Sequence, residues 1–571
     1  MVTIHDLGEY TFSALLRNTL EKFGERPALS LAHGEPITYH EFQLMMKKLA
    51  RVMTANGFAP GKKVAIFGQG MPQWGGFYLA TVCRGGIAIP LLPDFTSSEV
   101  ETILRHVQVD MMVVSKALYP KVKDIEASIL PVILAMEDFS PLRGKSANMN
   151  RGFLPKPIKV KEDDLASIIY TSGTTGTPKG VELTHKNLVW TAIQCQTIHR
   201  VNKYDRCLSF LPLSHVYEFT IGFVLQMLNG SCIYYLERPP TVSTLLPAFQ
   251  KVRPTIVLSV PMVMEKIYKH KILPALSGTK FRRFFHKLPV LASLMDIAAG
   301  LQLKKAFGRK IRFFGIGGAR LDPEVELFLK RAHFPYAIGY GLTETSPLLA
   351  GSGPKETVPG TVGPVLEGVE LRILHPSKQT GIGEVIVRGP NVMQGYYRDF
   401  KLTEEAFTTE SDSCGLGWFK TGDLGILENR RGRPWLSLKG RSKNMILGSS
   451  GENIYPEDIE FVLNQHPLVA ESLVVEGEKG GLVALVKLAE NAVVNTATAV
   501  GSKLGQAVQD VKEDFLYRRE ELLSEIKFYV NKRVNKNARI GSVRPVEDFE
   551  KTASQKIKRY LYQLRPTKGK G

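Results

Sequence analysis

Tyr170-Thr171-Ser172-Gly173-Thr174-Thr175-Gly176-Thr177-Pro178-Lys179-Gly180 is the most informative run in the chain. It holds three glycines, five serines or threonines and one lysine. The apolar run Leu165-Ala166-Ser167-Ile168-Ile169-Tyr170 leads into it and predicts a buried strand. Thr184-His185-Lys186-Asn187-Leu188 follows and predicts the start of a helix. A strand, a loop of glycines and hydroxyls, then a helix turns backbone N–H groups and hydroxyls toward phosphate oxygens. The loop is not the Walker form, because Lys179 stands between Pro178 and Gly180 and no Gly-Lys-Ser/Thr is present. A plain polar surface turn is the competing reading, and it leaves the density of Gly, Ser and Thr unexplained.

Upstream of the loop, Phe12, Leu15, Leu16 and Leu20, then Phe42, Met45, Met46 and Leu49, recur at helical spacing. Short apolar runs at 64–67, 87–91 and 111–114 predict strands, with helical stretches at 76–83 and 99–106 between them. Strands alternating with helices predict an α/β fold with a mostly parallel sheet. Downstream, the longest apolar stretch is 216–236, interrupted by Glu218, Gln226, Asn229, Gly230 and Ser231. A membrane span wants about 20 predominantly apolar residues. This stretch instead predicts a buried helix, a turn at Asn229-Gly230 and a strand over 232–236. Further on, a helix starting near Pro456 and strands over 469–475 and 482–488 predict a small α/β domain. Residues 490–513 are polar and read as an insert or loop, and 515–534 as a helix with Leu516, Leu523, Ile526 and Val530 on one side.

With 571 residues the chain exceeds one ordinary domain, and 44% hydrophobic residues is a globular content. The five cysteines, Cys83, Cys195, Cys207, Cys232 and Cys414, form no CxxC pair, so neither a disulfide framework nor a zinc site is expected. A reducing, cytoplasmic compartment fits, and the N-terminal stretch has no apolar core of signal-peptide length. The net charge of +19 asks for an anionic partner. Basic residues crowd the stretch from Lys266 to Arg312, where Phe281, Phe284 and Phe285 interleave with Arg282, Arg283 and Lys287. Cations beside aromatics suit peripheral contact with an anionic inner membrane surface. An ordinary solvated basic face is the bland alternative. No RNA-binding module is recognisable, so nucleic acid is not expected as a partner.

The glycine and hydroxyl loop closely resembles the nucleotide loop of the AMP-forming adenylating enzymes, which include acyl-CoA synthetases, peptide-synthetase adenylation domains and firefly luciferase. Other stretches resemble that superfamily in order and spacing: RPALS, ITYHEF, APGKKVAIFG and IAIPLLPDFTSSEVETIL before the loop; SFLPLSHVYEFT, FFGIGGA, YGLTET, GWFKTGD, LKGRSK and SSGENIYPEDIE after it; and KTASQKIKR near the C-terminus. The LPLSHVYE and TASQKIKR forms look like long-chain fatty acyl-CoA synthetases in particular. Gln555 stands where a glycine is more usual before the last motif's lysine.

The resemblance implies a large multi-sheet N-terminal domain over 1–440, with doubly wound parallel-type sheets. It implies a small mobile C-terminal α/β domain over 441–571, hinged near Lys443. It places ATP against Thr171, Ser172, Gly173, Thr174, Thr175 and Lys179, against the wall Gly317, Gly318 and Ala319, and against Tyr340 and Gly341. Asp423 and Arg441 would reach the ribose. Lys556, Thr343, Glu344 and His215 would be catalytic. Glu344 with Thr175 would serve Mg²⁺, a hard ion that takes few carboxylates and keeps phosphate oxygens and waters. Gly451, Glu452 and Asn453 would border the CoA channel. The apolar residues Val216, Phe219 and Phe223 beside His215 would suit a hydrocarbon wall.

The implied enzyme is an acid–thiol ligase: a long-chain fatty acid reacts with ATP to an acyl-adenylate, then with CoA to the thioester. A fatty acyl-AMP ligase or acyl-carrier-protein synthetase differs only in the acceptor. A non-catalytic lipid or nucleotide binder is the rival from another class, and the presence of Glu344, Asp423, Arg441 and Lys556 argues against it.

Overall fold

The computed structural model describes residues 1–145, 158–172, 178–274, 289–447, 453–477, 481–489, 508–552 and 556–563. Two eight-stranded sheets dominate. In the first, Phe313–Ile316, Ile256–Ser259, Arg206–Ser209, Cys232–Tyr235 and Pro27–Leu31 run parallel, with antiparallel Leu348–Ser352 and Ile37–Thr38 at the edges. Tyr336–Gly341 lies between Phe313–Ile316, to which it is parallel, and Leu348–Ser352. In the second, Leu165–Ser172, Ile87–Leu91, Lys63–Phe67, Met111–Val114 and Ile133–Ala135 are parallel neighbours. The central strands read as continuous apolar runs because both faces are covered: Val64, Ala65, Ile66 and Phe67 are all fully buried. The expected α/β class with parallel-type sheets is what the chain forms.

A third, five-stranded antiparallel sheet carries Phe419–Arg430 and Arg433–Arg441. Beyond it a smaller sheet of Val469–Glu476, Leu482–Leu488 and Ile540–Pro545 packs against the helices Pro456–Asn464 and Val508–Asn531. This part has its own apolar core, including Ile446, Ile459, Leu463, Val474, Ile526 and Val530. The helix Val508–Asn531 begins earlier than the sequence predicts, so 508–513 is helical rather than loop.

The local surroundings of the glycine and hydroxyl loop differ from expectation. It joins two antiparallel strands, Leu165–Ser172 and Pro178–Thr184, with Thr171 opposite Lys179. Helix His185–Gln194 starts only after the second strand. At about 3.3 Å per residue its N-terminus is about 20 Å along the chain from the loop. The helix dipole therefore does not serve the loop. The overlooked signal is the alternation Val181, Glu182, Leu183: the first and third are fully buried, the second is half-buried. Thr184 ends the strand and caps the helix, its hydroxyl accepting from the Asn187 N–H while the Asn187 side chain accepts from the Thr184 N–H.

The stretch 216–236 follows its sequence pattern. A wide helical turn, Glu218–Val224, continues as helix Leu225–Leu228, then turns into the strand Cys232–Tyr235. Among the described residues no helix is long and apolar enough to cross a membrane.

Candidate active site

The carboxyl ends of the parallel strands in the first sheet open into a crevice, the usual position for ligands in such sheets. Strand Phe313–Ile316 ends at Gly317, whose N–H donates to the Ser259 carbonyl at 3.2 Å. Gly318 has φ +84°, a left-handed conformation that favours glycine. The neighbouring strand Tyr336–Gly341 turns sharply back into Leu348–Ser352, and the turn carries Thr343 and Glu344. Gly341 cannot be replaced there, since a Cβ would stand 1.6 Å from the Pro347 carbonyl oxygen. Thr345 locks the turn, its hydroxyl donating to the Pro347 carbonyl at 2.7 Å and accepting from the Leu342 N–H at 3.0 Å.

One wall of the crevice is the third sheet. Asp423 and Arg441 face each other across the pair Phe419–Arg430 and Arg433–Arg441, with the Arg441 Nε 2.8 Å from Asp423 Oδ1. The Tyr340 hydroxyl donates to Asp423 Oδ2 at 2.8 Å. Burial pushes the Asp423 carboxyl up, and Arg441, then Tyr340, pull it back. Both carboxyl oxygens of Asp423 are thus held by partners within the protein. Tyr340 is itself buried, on the strand that runs parallel to Phe313–Ile316.

The opposite wall comes from the second sheet. Lys179, on the strand Pro178–Thr184, sits over the Tyr396 ring with its ammonium 5.4 Å from the centroid. The Tyr396 hydroxyl donates to Glu344 Oε1 at 2.9 Å. Tyr396 occupies the edge strand Gly395–Tyr396, which pairs with Val181 and Glu182. It therefore joins the lysine of one sheet to the carboxylate of another. Burial pushes the Lys179 ammonium down, the Lys443 charge adds to that, and Glu344 opposes it. Tyr396 was not singled out in the sequence; its only signal is an aromatic in GYYRDF, which periodicity does not distinguish from core.

Lys556 arrives from the C-terminal part. Its backbone is closed on Thr552 by two hydrogen bonds, Thr552 N–H to the Lys556 carbonyl at 2.8 Å and Lys556 N–H to the Thr552 hydroxyl at 3.2 Å. On either side, Lys551 pairs with Glu471 at 2.6 Å and Arg559 with buried Glu460 at 2.7 Å. These ties aim Lys556 into the crevice. Water still reaches the side chain, so it stands in an open cleft and not in a core. Crowding by protein, then Arg441, pushes its ammonium down, while Asp423 and Glu344 hold it up. His215 is near enough to feel it: burial, then Lys556, push the imidazolium down to about 4. His215 is therefore neutral at physiological pH and offers one donor and one acceptor. Lys443 follows Arg441 in a single helical turn, Ser442–Asn444, tied by Ser442 to the Gly422 carbonyl at 3.1 Å and by Asn444 to Glu457 at 2.6 Å.

Behind Gly315 and Gly317 lies an apolar cavity of about 40 Å³. Its helical wall is Tyr217, Ile221 and Leu225, and its sheet walls include Leu258, Phe313, Ile316 and Ile338. The expected hydrocarbon wall of Val216, Phe219 and Phe223 is not part of this lining. Those residues face the other way: Phe219 packs on Tyr78 at 4.2 Å and Phe223 at 5.7 Å, and Val216 is fully buried in the same core. Residues on one helix face recur at three and four, so Tyr217, Ile221 and Leu225 form one stripe and Phe219 and Phe223 another. The Tyr217 ring lies across the strand end, where a Cβ on Gly317 would meet it at 3.3 Å.

The crevice therefore gathers Thr343, Glu344, Tyr340, Gly341, Gly317, Gly318, Lys179, Asp423, Arg441, His215 and Lys556. Ala319 follows Gly318 at the same strand end, and Thr171 stands opposite Lys179. Gly173, Thr174, Thr175, Gly451 and Glu452 lie outside the described residues, as do the side chains of Ser172 and Asn453. The donor set fits Mg²⁺ carried by a nucleotide: Glu344 offers one hard carboxylate beside a lysine, leaving the ion's other positions to phosphate and water.

The model of the AMP-binding enzyme family matches residues 16–397. Long-chain-fatty-acid–CoA ligase FadD15 of Mycobacterium bovis is 28% identical over 520 residues, covering 86% of this chain and 82% of that protein. 4-Coumarate–CoA ligase 1 of Petroselinum crispum is 28% identical over 491 residues, covering 81% and 82%. The structure of O-succinylbenzoate coenzyme A synthetase from Bacillus subtilis, in complex with ATP and magnesium ion, superposes with a TM-score of 0.72 at 22% identity. It covers 96% of this chain and 98% of that one, and speaks for the fold alone. With a family match over more than half its length, on a crevice built from the glycine, Tyr340, Glu344 and Asp423 positions, the chain belongs to the AMP-binding enzyme family of AMP-forming adenylating enzymes.

Proposed function

We propose that the protein is an acid–CoA ligase that activates a long-chain fatty acid through an acyl-adenylate. The observation that carries this reading is the meeting of Lys556, from the C-terminal part, with Glu344, Asp423 and Arg441 of the rest of the chain. A lysine brought to a nucleotide crevice by a separate piece of chain suits phosphoryl-centre chemistry that must later be uncovered. The likeness to long-chain-fatty-acid–CoA ligase FadD15 supports a hydrocarbon acid.

In the first half-reaction a carboxylate oxygen bonds to the α-phosphorus of ATP while the bond to the pyrophosphate oxygen breaks. Charge on the transferred group is met by donors set in place beforehand, which is the largest source of catalysis in such steps. Lys556 and Thr343 face the α-phosphate, Lys179 and the loop at 171–179 the leaving pyrophosphate, and Asp423 with Arg441 the ribose. Glu344 would hold Mg²⁺, which would supply charge neutralisation at the phosphates. Neutral His215 stands between the nucleotide and the acid without repelling Lys556.

In the second half-reaction the CoA thiol sulfur bonds to the acyl carbon, AMP leaves, and the thiol proton passes to solvent. The division of the chain into 1–440 and 441–571, with rotation at Lys443, takes Lys556 away and brings 451–453 to the thiol. Large backbone rotations are absorbed by a few residues at element ends. Ser442–Asn444 is such an end.

Peripheral contact with an anionic membrane surface belongs to the same reading. Helix Pro289–Ala306 exposes Leu294 and Leu301, two turns apart on one face, close to Lys304 and Lys305. Such a helix supplies both apolar and cationic contacts.

The test is incubation with ATP, Mg²⁺, palmitate and CoA. Pyrophosphate, AMP and palmitoyl-CoA are expected in equal amounts. Pyrophosphate without thioester would favour an acyl-AMP ligase or a carrier-protein acceptor instead.

A further inference from the structure

Gly180 is held by two tyrosines. It stands opposite Tyr170 in the hairpin, one position beyond Lys179. A Cβ there would lie 3.1 Å from Tyr170 Cζ and 3.3 Å from its hydroxyl oxygen, so the phenol rests on the glycine. The Tyr397 N–H donates to the Gly180 carbonyl at 2.8 Å. Tyr397 directly follows Tyr396, whose ring carries the Lys179 ammonium. Both contacts on Gly180 therefore bear on where Lys179 stands.

The two tyrosines meet at His106, near the C-terminal end of helix Ser97–Val107. His106 Nδ1 lies 2.6 Å from the Tyr170 hydroxyl oxygen. The imidazole stands nearly perpendicular to both rings, with centroids 5.9 Å from Tyr170 and 5.8 Å from Tyr397. Arg398, next after Tyr397, closes the cluster by donating to the His106 carbonyl at 3.1 Å and to Gln108 Oε1 at 2.7 Å. Tyr170 is buried, whereas His106 is exposed on its outer side. The histidine thus reaches inward from the surface and fills no core position. Burial, then Arg398, push its imidazolium down, and Asp399 opposes them. A neutral ring has an acceptor nitrogen to offer the phenol.

We infer that His106 is a positioning residue for the nucleotide: by holding Tyr170 and packing on Tyr397 it fixes Gly180, and with it the place of Lys179. The inference rests on the reading that puts Lys179 at the leaving pyrophosphate. His106 acts through these residues and not on the nucleotide itself. Its loss takes this partner from the Tyr170 hydroxyl and frees the phenol to shift on Gly180. The effect belongs to the β- and γ-phosphate side, because Tyr340, Asp423 and Arg441 stand on the opposite wall. A neutral hydrogen bond contributes about two- to tenfold in an equilibrium constant.

The experiment measures Kd for MgATP and for AMP by calorimetry on the full chain. It compares wild type with His106→Leu, His106→Asn, Tyr170→Phe and the double variant of His106→Leu with Tyr170→Phe, and uses Lys179→Ala as the reference. AMP carries the ribose and α-phosphate but no pyrophosphate. Lys179→Ala is expected to weaken MgATP and to leave AMP unchanged. His106→Leu and Tyr170→Phe are each expected to weaken MgATP about two- to tenfold, again with AMP unchanged. The double variant is expected to bind MgATP no more weakly than either single one, because the two changes remove the same contact. His106→Asn offers an oxygen near the Nδ1 position and is expected to restore most of the MgATP affinity. Tyr170→Phe keeps the ring and removes only the hydroxyl, so the test stands if His106→Leu does not fold. Unchanged MgATP binding in these variants overturns the inference. Equal weakening of MgATP and AMP overturns it too, since a general loosening of the fold gives that result. Additive losses in the double variant do the same, as does a His106→Asn variant as weak as His106→Leu. If Lys179→Ala weakens MgATP no more than AMP, the pyrophosphate role of Lys179 falls and takes the role of His106 with it. If Lys179→Ala behaves as expected while the His106 and Tyr170 variants match wild type, the role of His106 falls alone.

Discussion

The Tyr396 hydroxyl donates to Glu344 Oε1 at 2.9 Å while the face of the same ring lies 5.4 Å from the Lys179 ammonium. One side chain therefore sets the spacing between the carboxylate assigned to Mg²⁺ and the lysine assigned to pyrophosphate. Tyr396→Phe keeps the ring and the cation contact but removes the hydroxyl. A hydrogen bond to a charged group is worth about 1.5–3 kcal/mol, or about 10- to 100-fold in kcat/KM for MgATP. The loss is expected together with a raised Mg²⁺ requirement, read from pyrophosphate exchange over a magnesium titration. A structural role alone would lower activity equally at every magnesium concentration.

On the proposed reading two lysines divide the chemistry, and their variants are expected to differ. Lys556→Ala removes the charge facing the α-phosphate, so pyrophosphate exchange falls at least about 10²-fold. Thioester formation from supplied acyl-adenylate and CoA is retained, because that step does not use Lys556. Lys179→Ala weakens the grip on the leaving group and raises KM for ATP as well as lowering exchange. Equal loss of both half-reactions in Lys556→Ala would remove it from the adenylation step.

Much of this crevice was legible in the chain, because its residues sit in short runs whose chemistry is local. Gly317-Gly318, Tyr340 to Glu344, Asp423 and Arg441 were each named from their own segments, and the sheets bring them together. What the sequence could not show are relationships between segments. Tyr396 acts through Glu344, 52 positions earlier, and only the strand pairing of Gly395–Tyr396 with Val181 and Glu182 reveals it. Which face of the helical turn lines the cavity is another such relationship. Phe219 and Ile221 are both apolar and both buried, and only the packing of Phe219 on Tyr78 and Trp74 tells their faces apart. The hairpin around Lys179 was missed because a short half-buried strand following a glycine reads as loop.

Glu218 gives a pH dependence. It is fully buried, neither carboxyl oxygen has a hydrogen-bond partner among the described residues, and Gly222 leaves room for it, since a Cβ there would stand 2.6 Å from Glu218 Oε1. Burial pushes its carboxyl up from 4.5 to about 8. The folded chain therefore holds a proton that the unfolded chain has released between those pH values. Stability is greatest below pH 4.5 with respect to this group and falls as pH rises toward 8. The loss is up to about 5 kcal/mol, at roughly 1.4 kcal/mol per pH unit. Glu218→Gln is neutral throughout and removes the dependence. Its melting temperature is expected to exceed that of wild type at about pH 9 and to approach it at about pH 5. Parallel pH profiles for the two proteins would show that Glu218 does not titrate in this range.

Arg320 links the two parts of the chain in the arrangement that presents Lys556. Its guanidinium pairs with Asp458 at 2.6 Å and lies 6.0 Å from the Phe461 ring centroid, both on helix Pro456–Asn464. Lys269 adds a hydrogen bond to the Asn464 carbonyl on the same helix. The Arg320–Asp458 pair is about half exposed on both sides, so its strength is limited to about 0–1 kcal/mol. On the proposed reading, a contact that weak suits a C-terminal part that moves between the half-reactions. Arg320→Ala is expected to lower the adenylation half-reaction by no more than about fivefold, since that factor corresponds to about 1 kcal/mol. Thioester formation from supplied acyl-adenylate is expected to hold or rise, because the competing arrangement is relatively favoured. Raising the salt concentration mimics the variant, as exposed pairs are screened. The measurement is the ratio of the two half-reaction rates in wild type and variant at low and high salt. A ratio that does not move in Arg320→Ala would mean that this contact does not bias the position of the C-terminal part.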